Sequence, residues 1–240
     1  MNKISIEHLT KIYQTGEGNK TALKDICLEI EEGTVTVIGG ENGSGKSVLM
    51  NIIAGLEKPT SGKICTFGKA GLVFQEADTQ ILGETPREDI AFGPKNLKKS
   101  RAEVKEAVED ALEQVGLTKK ADYPARFLSG GEKRRLAVAC MLSMNFPVII
   151  FDEPYANLDY GGVRQVNSLV KKLHSQNKTV IILTHELEKC LGLADRFVVL
   201  FRGDKVFDGA PLEGLSQNLE QWNIRNPLNS YLKLDDLIWL

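Results

Sequence analysis

The sequence has few cysteines, and none of them are spaced as a metal site or a disulfide framework requires. The four are scattered and form no CxxC pair: Cys27, Cys65, Cys140 and Cys190. This excludes a zinc-ribbon or disulfide-stapled domain and is typical of a protein kept in a reducing compartment.

Long apolar runs are also missing. The N-terminal segment MNKISIEHLT lacks the apolar stretch of a secretory signal. No run approaches the roughly 18 apolar residues that a membrane-spanning helix needs. We therefore expect a soluble, cytosolic chain that reaches a membrane only through a partner.

A strong charge of one sign is absent too. The 30 basic and 32 acidic residues leave a formal net charge of −2, which gives no global attraction for nucleic acid or anionic lipid. A hydrophobic content of 42% excludes a disordered chain. Over 240 residues, one domain with a small appendage is the natural expectation.

Glycine, in contrast, is concentrated in one place. The segment Gly40-Glu-Asn-Gly-Ser-Gly45-Lys46-Ser47 matches G-x-x-x-x-G-K-[ST], after a β-branched strand (34–38) and before a segment of helical periodicity (46–54). Such a loop turns backbone N–H groups inward around phosphates, while the lysine reaches the β- and γ-phosphates and the serine binds Mg²⁺. A chance glycine turn is the alternative, and the flanking strand and helix argue against it. The predicted nucleotide-binding residues here are Asn42, Gly43, Ser44, Gly45, Lys46, Ser47 and Val48.

Two acids follow an apolar strand about 100 residues later. Strand 148–151 leads into Asp152 and Glu153. Asp152 is expected to hold Mg²⁺ and Glu153 to act as the general base toward water. Acids at a strand end can simply be solvated. The phosphate loop favours the metal and base interpretation, because buried parallel strands deliver their carboxyl ends to the ligand crevice.

The segment Leu128-Ser-Gly-Gly-Glu132 resembles the LSGGQ signature of ABC-type ATPases and lies about 20 residues before the acid pair, as in that family. The resemblance covers roughly residues 3–210. It implies an α/β P-loop fold with a mixed sheet core, an N-terminal antiparallel β subdomain and a helical subdomain at about 76–145. The ATPase domain would be 1–210, with a C-terminal extension at 211–240.

The resemblance also implies roles for residues outside the phosphate loop. In the family, the signature of one subunit caps the γ-phosphate of an ATP held by the other, which predicts ATP contacts from Ser129, Gly130 and Gly131. Tyr13 resembles the aromatic that stacks on adenine, although a structural tyrosine is the alternative. Gln75 resembles the Q-loop glutamine that touches Mg²⁺ and the attacking water, and His185 the switch histidine at the γ-phosphate.

Several positions depart from the family pattern. Val48 replaces a threonine and loses one hydroxyl contact to phosphate. Glu132 replaces the signature glutamine, and we expect the adjacent cations 133–135 to offset its charge. Tyr155 and Asn157 replace smaller residues around the D-loop 156–159. None of these changes removes Lys46, the acid pair or the histidine, so hydrolysis is still expected.

Segments 73–80 and 84–94 resemble the ATPases of energy-coupling-factor (ECF) transporters, including cobalt and nickel importers. This implies a second ATPase subunit, identical or paralogous, on a transmembrane coupling protein. A separate membrane subunit would capture a vitamin or metal ion, and the chain would sit peripherally on the cytoplasmic face of the membrane, without a nucleic-acid partner. The alternatives are a conventional ABC transporter ATPase, a soluble ABC ATPase, or a regulator without turnover. The extension after 210 could aid dimerisation or simply pack as a tail.

Periodicity predicts one more element near the site. Residues 186–193 have apolar positions at helical spacing, so a helix is expected directly after the histidine.

Overall fold

The computed structural model describes residues 3–16 and 18–229, which form two sheets surrounded by helices. The strands in these ranges are β1 (Lys3–Thr15), β2 (Gly18–Glu31), β3 (Val35–Gly39), β4 (Ser61–Cys65), β5 (Ala70–Val73), β6 (Val148–Asp152), β7 (Thr179–Leu183), β8 (Arg196–Phe201) and β9 (Asp204–Gly209). The α-helices are α1 (Lys46–Ile53), α2 (Pro86–Asn96), α3 (Arg101–Val115), α4 (Gly130–Ser143), α5 (Tyr160–Ser175) and α6 (Pro211–Leu215).

The smaller sheet is antiparallel, in the order β2-β1-β4. Buried residues alternate with exposed ones in β2, where Ile26, Leu28 and Ile30 face inward. This alternation is what a sheet with one solvated face requires. The predicted N-terminal antiparallel subdomain is confirmed.

The larger sheet has six strands in the order β5-β6-β7-β3-β8-β9, and all neighbours are parallel except β8 and β9. Strands β3 and β7 are buried along their whole length, because α5 packs on one face of the sheet and the antiparallel sheet together with α1 packs on the other. The predicted mixed sheet core is confirmed.

This strand order brings three loops together. The register pairs Asp152 of β6 with Leu183 of β7, and Leu183 in turn with Ile38 of β3. The residues after these three strands therefore emerge side by side at one edge of the sheet, where α/β proteins bind their ligands.

Helices α2, α3 and α4, which lie between β5 and β6 along the chain, pack against one another as a helical unit. Local chemistry sets their ends. Thr85 caps α2, with Pro86 at its first position, and Ser100 forms a capping box with Glu103 on α3. Gly116 ends α3 in the left-handed conformation, at φ 69°.

The helix predicted over 186–193 is wrong. The chain forms two 3₁₀ turns there, Leu187–Lys189 and Leu191–Leu193, separated by Cys190 at φ −143°. The carbonyl of Lys189 accepts a hydrogen bond from the Asn167 side chain at 2.7 Å, and that partner lies on α5. A tertiary contact thus replaces the local helical bond that periodicity alone predicts.

Residues after 210 pack on the same core as far as they are described. Helix α6 lies against β8 and β9, and Leu219 and Ile224 are buried in the main cluster. The part of the extension at 230–240 lies outside the described residues, and dimerisation through the extension stays a prediction. Within the described ranges, no helix is both long and apolar enough to span a bilayer.

Candidate nucleotide-binding and hydrolysis site

The glycine loop joins β3 to α1. At two of its positions a side chain would clash with neighbouring backbone. Gly40 lies at φ 150°, and a Cβ there would meet the Leu200 carbonyl oxygen at 2.3 Å. Gly45 lies at φ 108°, and its Cβ would meet the Ala22 carbonyl oxygen at 2.7 Å. Both positive φ values and both close approaches exclude a side chain, so these glycines serve the shape of the loop.

A cavity of about 830 Å³ opens beside this loop, a volume within the range of small-molecule sites. The predicted residues that line it are Tyr13, Asn42, Gly43, Gly45, Lys46, Ser47, Val48, Gln75, Asp152 and Glu153. Ser44 is the one predicted loop residue that does not line the cavity: it is buried, and its carbonyl accepts the N–H of Gly203 at 3.0 Å. The structure thus gathers predicted residues from well-separated segments of the chain around one cavity.

Lys46 is held against the loop itself. Its Nζ donates to the carbonyls of Gly40 and Glu41, at 2.7 and 3.0 Å, and lies 3.9 Å from Glu153 Oε1. Burial lowers the pKa of Lys46, and the carboxylates of Glu153, Asp152 and Glu41 oppose that effect. An ammonium group has three N–H donors. Two of them hold the loop closed, which leaves one to reach a phosphate.

Ser47 and Asp152 form the candidate metal site. The Ser47 Oγ lies 3.5 Å from Asp152 Oδ2, and Gln75 lines the same cavity. Hydroxyl, carboxylate and amide oxygens are hard donors of the kind that Mg²⁺ prefers, so these side chains fit that ion. Burial, helped by the neighbouring Glu153, raises the pKa of Asp152. A divalent cation would favour the ionised form of this carboxyl group.

Glu153 points in a different direction from Asp152. Its backbone has φ 44°, a left-handed value that is uncommon for glutamate, and its N–H donates to the Leu183 carbonyl at 2.8 Å. Glu153 is only 8% exposed to solvent. One oxygen of its carboxylate accepts a hydrogen bond from Thr184 Oγ1 at 3.0 Å. The ring Nδ1 of His185 lies 3.0 Å from the other oxygen. The two adjacent acids are thereby separated: Asp152 lies at the candidate metal site, and Glu153 is held by the residues that follow β7.

Thr184 belongs to the candidate site, although the sequence did not predict it. It is fully buried, and besides its bond to Glu153 its hydroxyl accepts the Glu186 N–H at 3.0 Å. A threonine before a histidine carries no signal of its own. Only the strand register, which sets β7 beside β6, reveals the contact.

Tyr13 lies at the cavity wall with its hydroxyl anchored. It donates to Glu57 Oε2 at 2.8 Å, and the Lys11 ammonium lies 5.0 Å from its ring centre. Burial, with Glu57, raises the pKa of Tyr13 to about 12. The ring is therefore fixed at the cavity, where a base could stack on it, and its adenine contact stays a prediction.

The loop of Gln75 connects the cavity to the helical unit. The Gln75 carbonyl accepts a hydrogen bond from Arg134 of α4 at 3.2 Å. The Gln80 side chain closes the loop back on β5, accepting the Phe74 N–H at 2.8 Å and donating to the Leu72 carbonyl at 2.7 Å. Movement of the helical unit would therefore move this glutamine.

The signature residues do not line the cavity. Ser129 and Gly130 lie at the start of α4, where Ser129 and Glu132 form a capping box and Gly130 is exposed. An acid suits this position because it binds the cap N–H and complements the positive end of the helix dipole. The glutamate that departs from the signature pattern thus has a structural reason.

The expected neutralisation of Glu132 by the adjacent cations is wrong. Glu132 is paired with Lys120, at 2.6 Å. Burial acts to raise the pKa of Glu132, but Lys120 and the Ser129 cap outweigh it, so the pKa is lowered overall. The adjacent cations instead bond elsewhere: Lys133 to Asp78, Arg134 to Gln75 and Arg135 to Gln165. Consecutive residues of a helix point in different directions, so cations that follow Glu132 in the sequence do not pair with it.

Two further cations at the cavity were also missed. Lys20 comes from β2, and Arg202 from the turn between β8 and β9. Five uncharged residues that were not predicted line the cavity as well: Gln14, Thr15, Thr21, Ala22 and Gly203. None belongs to a recognisable motif, because each reaches the cavity through tertiary packing alone.

Comparison with known proteins decides the family. A family profile described as ABC transporter matches residues 23–156, more than half of the chain. The chain belongs to the ABC transporter family. As a member, it is an ATP-binding subunit that hydrolyses ATP, which confirms the predicted enzyme class.

Relatives of this ABC subunit include the energy-coupling factor transporter ATP-binding protein EcfA1 of Mycoplasma mobile. The two are 38% identical over 227 residues, which cover 89% of this chain and 82% of that protein. The resemblance to ECF ATPases predicted from segments 73–80 and 84–94 is confirmed.

Two solved structures have the same fold. One is CbiO1 from Clostridium perfringens, described as part of the ABC transporter complex CbiONQ, with TM-score 0.82 and 32% identity, covering 95% of this chain and 97% of that one. The other is the cassette MJ0796 in a dimeric post-hydrolysis state with ADP and phosphate, with TM-score 0.76 and 30% identity, covering 87% of this chain and 98% of that one.

Proposed function

We propose that this ABC subunit works as the ATPase of an ECF-type importer, in a pair that shares each ATP between two chains. One observation carries the pairing. The cavity contains the phosphate loop and the acid pair, whereas the signature residues Ser129 and Gly130 lie outside it, with Gly130 exposed. A signature helix that begins at the protein surface, with Gly130 exposed at its first position, suits an anion presented by a second chain.

In this proposal the phosphate loop binds the ATP phosphates through its N–H groups and the third donor of Lys46. Ser47, Asp152 and Gln75 would hold Mg²⁺, which would supply charge neutralisation for the phosphates. Tyr13 would stack on the base at the other end of the cavity. Each of these residues lines the same cavity, which supports a single continuous binding mode.

Glu153 would take the proton from the attacking water. Its carboxylate is largely withdrawn from solvent, and its fixed hydrogen bonds to Thr184 and His185 orient it toward the cavity. A base held in one orientation loses little entropy at the transition state. His185, whose side chain is 52% exposed, would contact the γ-phosphate from the same side.

The membrane partners would dock on the helical unit near Gln75. Between residues 76 and 145, five large apolar side chains are exposed, among them Leu82 at 69%, Phe92 at 51% and Phe127 at 61%. Exposed apolar side chains of this size favour a protein contact. The partners would be a transmembrane coupling protein and a separate subunit that captures a vitamin or metal ion, with this chain peripheral at the cytoplasmic face of the membrane.

The test is co-purification of the tagged chain from detergent-solubilised membranes, compared with Leu82→Asp. We expect a second ATPase and a polytopic membrane protein with the native chain, and loss of the membrane protein with Leu82→Asp. The matched control Leu212→Asp changes a similarly exposed leucine on α6 and should keep the partners. Recovery of a conventional two-domain permease would favour the ordinary ABC transporter instead. Recovery of soluble partners alone would overturn the importer proposal.

A further inference from the structure

The phosphate loop carries an acid, Glu41, at a point where negative charge opposes its function. The Glu41 carbonyl accepts hydrogen bonds from the Ser44 N–H at 3.2 Å and from Lys46 Nζ at 3.0 Å. Its carboxylate acts electrostatically on the Lys46 ammonium. A carboxylate on this loop would repel bound phosphates unless its charge is directed elsewhere.

The C-terminal extension binds this carboxylate. Asn223 Nδ2 donates to Glu41 Oε2 at 2.6 Å, across 182 residues of sequence. A hydrogen bond to an ionised acceptor is stronger than one between neutral groups. Neither residue lines the nucleotide cavity, although Asn42 and Gly43, which follow Glu41, do. The amide therefore holds the carboxylate outside the space that the phosphates need.

Asn223 is itself held firmly in place. It ends the 3₁₀ turn Leu219–Trp222 in the left-handed conformation, at φ 55°, which asparagine tolerates better than most residues. The turn is anchored on both sides, because Leu219 and Ile224 are buried at 2% and 6% exposure. The amide is presented by a fixed backbone rather than by a mobile tail.

We propose that Asn223 is a positioning residue for nucleotide binding, which holds the Glu41 carboxylate away from the phosphate site. The extension after residue 210 thereby completes the site of its own chain through one side chain. This role is separate from dimerisation, because it acts within a single subunit.

The test measures ADP binding to the isolated chain by titration calorimetry, because ADP needs neither hydrolysis nor a second subunit. Asn223→Asp keeps the size and the tolerance of positive φ but sets a second carboxylate against Glu41. We expect the Kd for ADP to rise about fivefold, the order expected for a lost charge-assisted bond near the surface. The matched control Asn218→Asp adds the same charge at the exposed start of the same turn and should change Kd by less than about twofold.

The Glu41→Gln substitution provides the decisive background. When residue 41 is neutral, Asn223→Asp should weaken ADP binding no more than Asn218→Asp does. Asn223→Gly allows the same backbone conformation and removes the side-chain amide. With Glu41 present, this variant should raise the Kd for ADP. It replaces Asn223→Asp in the test if the aspartate variant has a much lower Tm than the native chain. The proposal fails if Asn223→Asp and Asn223→Gly both bind ADP like the native chain. It also fails if the loss of affinity persists undiminished in the Glu41→Gln background.

Discussion

Thr184→Val isolates the group that orients Glu153, the proposed general base. Valine keeps the branched shape of threonine but has no hydroxyl. In the native structure that hydroxyl donates to Glu153 at 3.0 Å and accepts the Glu186 N–H at 3.0 Å, in a fully buried position. The substitution removes the acceptor of the Glu186 backbone N–H. It also leaves the Glu153 Oε2 with the His185 backbone N–H as its remaining donor, at 3.4 Å.

The size of the effect follows from the charge on the acceptor. A hydrogen bond to an ionised group contributes about 1.5–3 kcal/mol, and about 1.4 kcal/mol corresponds to tenfold in rate. We therefore expect kcat for ATP hydrolysis to fall about tenfold or more in Thr184→Val. The KM for ATP should change by less than about twofold, because the phosphate loop is untouched.

Steady-state phosphate release measures both constants, and Thr184→Ser is the control because it restores the hydroxyl. With Glu153→Gln as background, Thr184→Val should cause no further loss of turnover, since the group it orients is already disabled. The reasoning is refuted if Thr184→Val keeps native kcat, or if Thr184→Ser falls as far as the valine variant.

Three other perturbations test separate contacts. Asp152→Asn should raise the Tm of the nucleotide-free chain at neutral pH by about 1–3 °C, because the raised pKa of this carboxyl means that folding penalises its charge. The gain should shrink as pH falls through that raised pKa, where the native carboxyl takes up a proton in the folded state. Tyr155→Phe removes a buried hydroxyl that donates to Asn167 at 2.8 Å, and thermal melting should register a loss of about 1 kcal/mol. Lys120→Met unpairs Glu132 and should weaken ATP-dependent dimerisation in size-exclusion chromatography, while ADP binding to one subunit is unchanged.

Each of these has an opposing result. A pH-independent Tm difference for Asp152→Asn would mean that the carboxyl charge is not the cause. A native Tm for Tyr155→Phe would make its hydrogen bond energetically neutral. Normal dimerisation of Lys120→Met would show that the Glu132 charge does not reach the shared ATP.

The sequence was sufficient to predict those parts of the candidate site that are contiguous in the chain. The loop from Gly40 to Ser47 and the acids after β6 could be located because each motif includes the strand that positions it. The fold class could also be predicted from local patterns, because unbroken apolar strands that alternate with helices indicate a parallel sheet covered on both faces.

The rest depends on contacts between distant segments, which no local pattern records. Thr184 and Asn223 act through partners 31 and 182 residues away. The helix expected at 186–193 was lost to a side chain from α5, and the charge of Glu132 was balanced by Lys120 rather than by its sequence neighbours. Tertiary packing overrides local periodicity in each case.

The central claim is that Glu153 is the general base in an ATP-bound pair of chains. Glu153→Gln tests it most directly, because the amide keeps the shape and removes the ability to accept a proton from water. Size-exclusion chromatography with Mg-ATP should give a stable dimer for this variant, with phosphate release reduced by about a hundredfold or more. Native-like phosphate release by Glu153→Gln would contradict the claim.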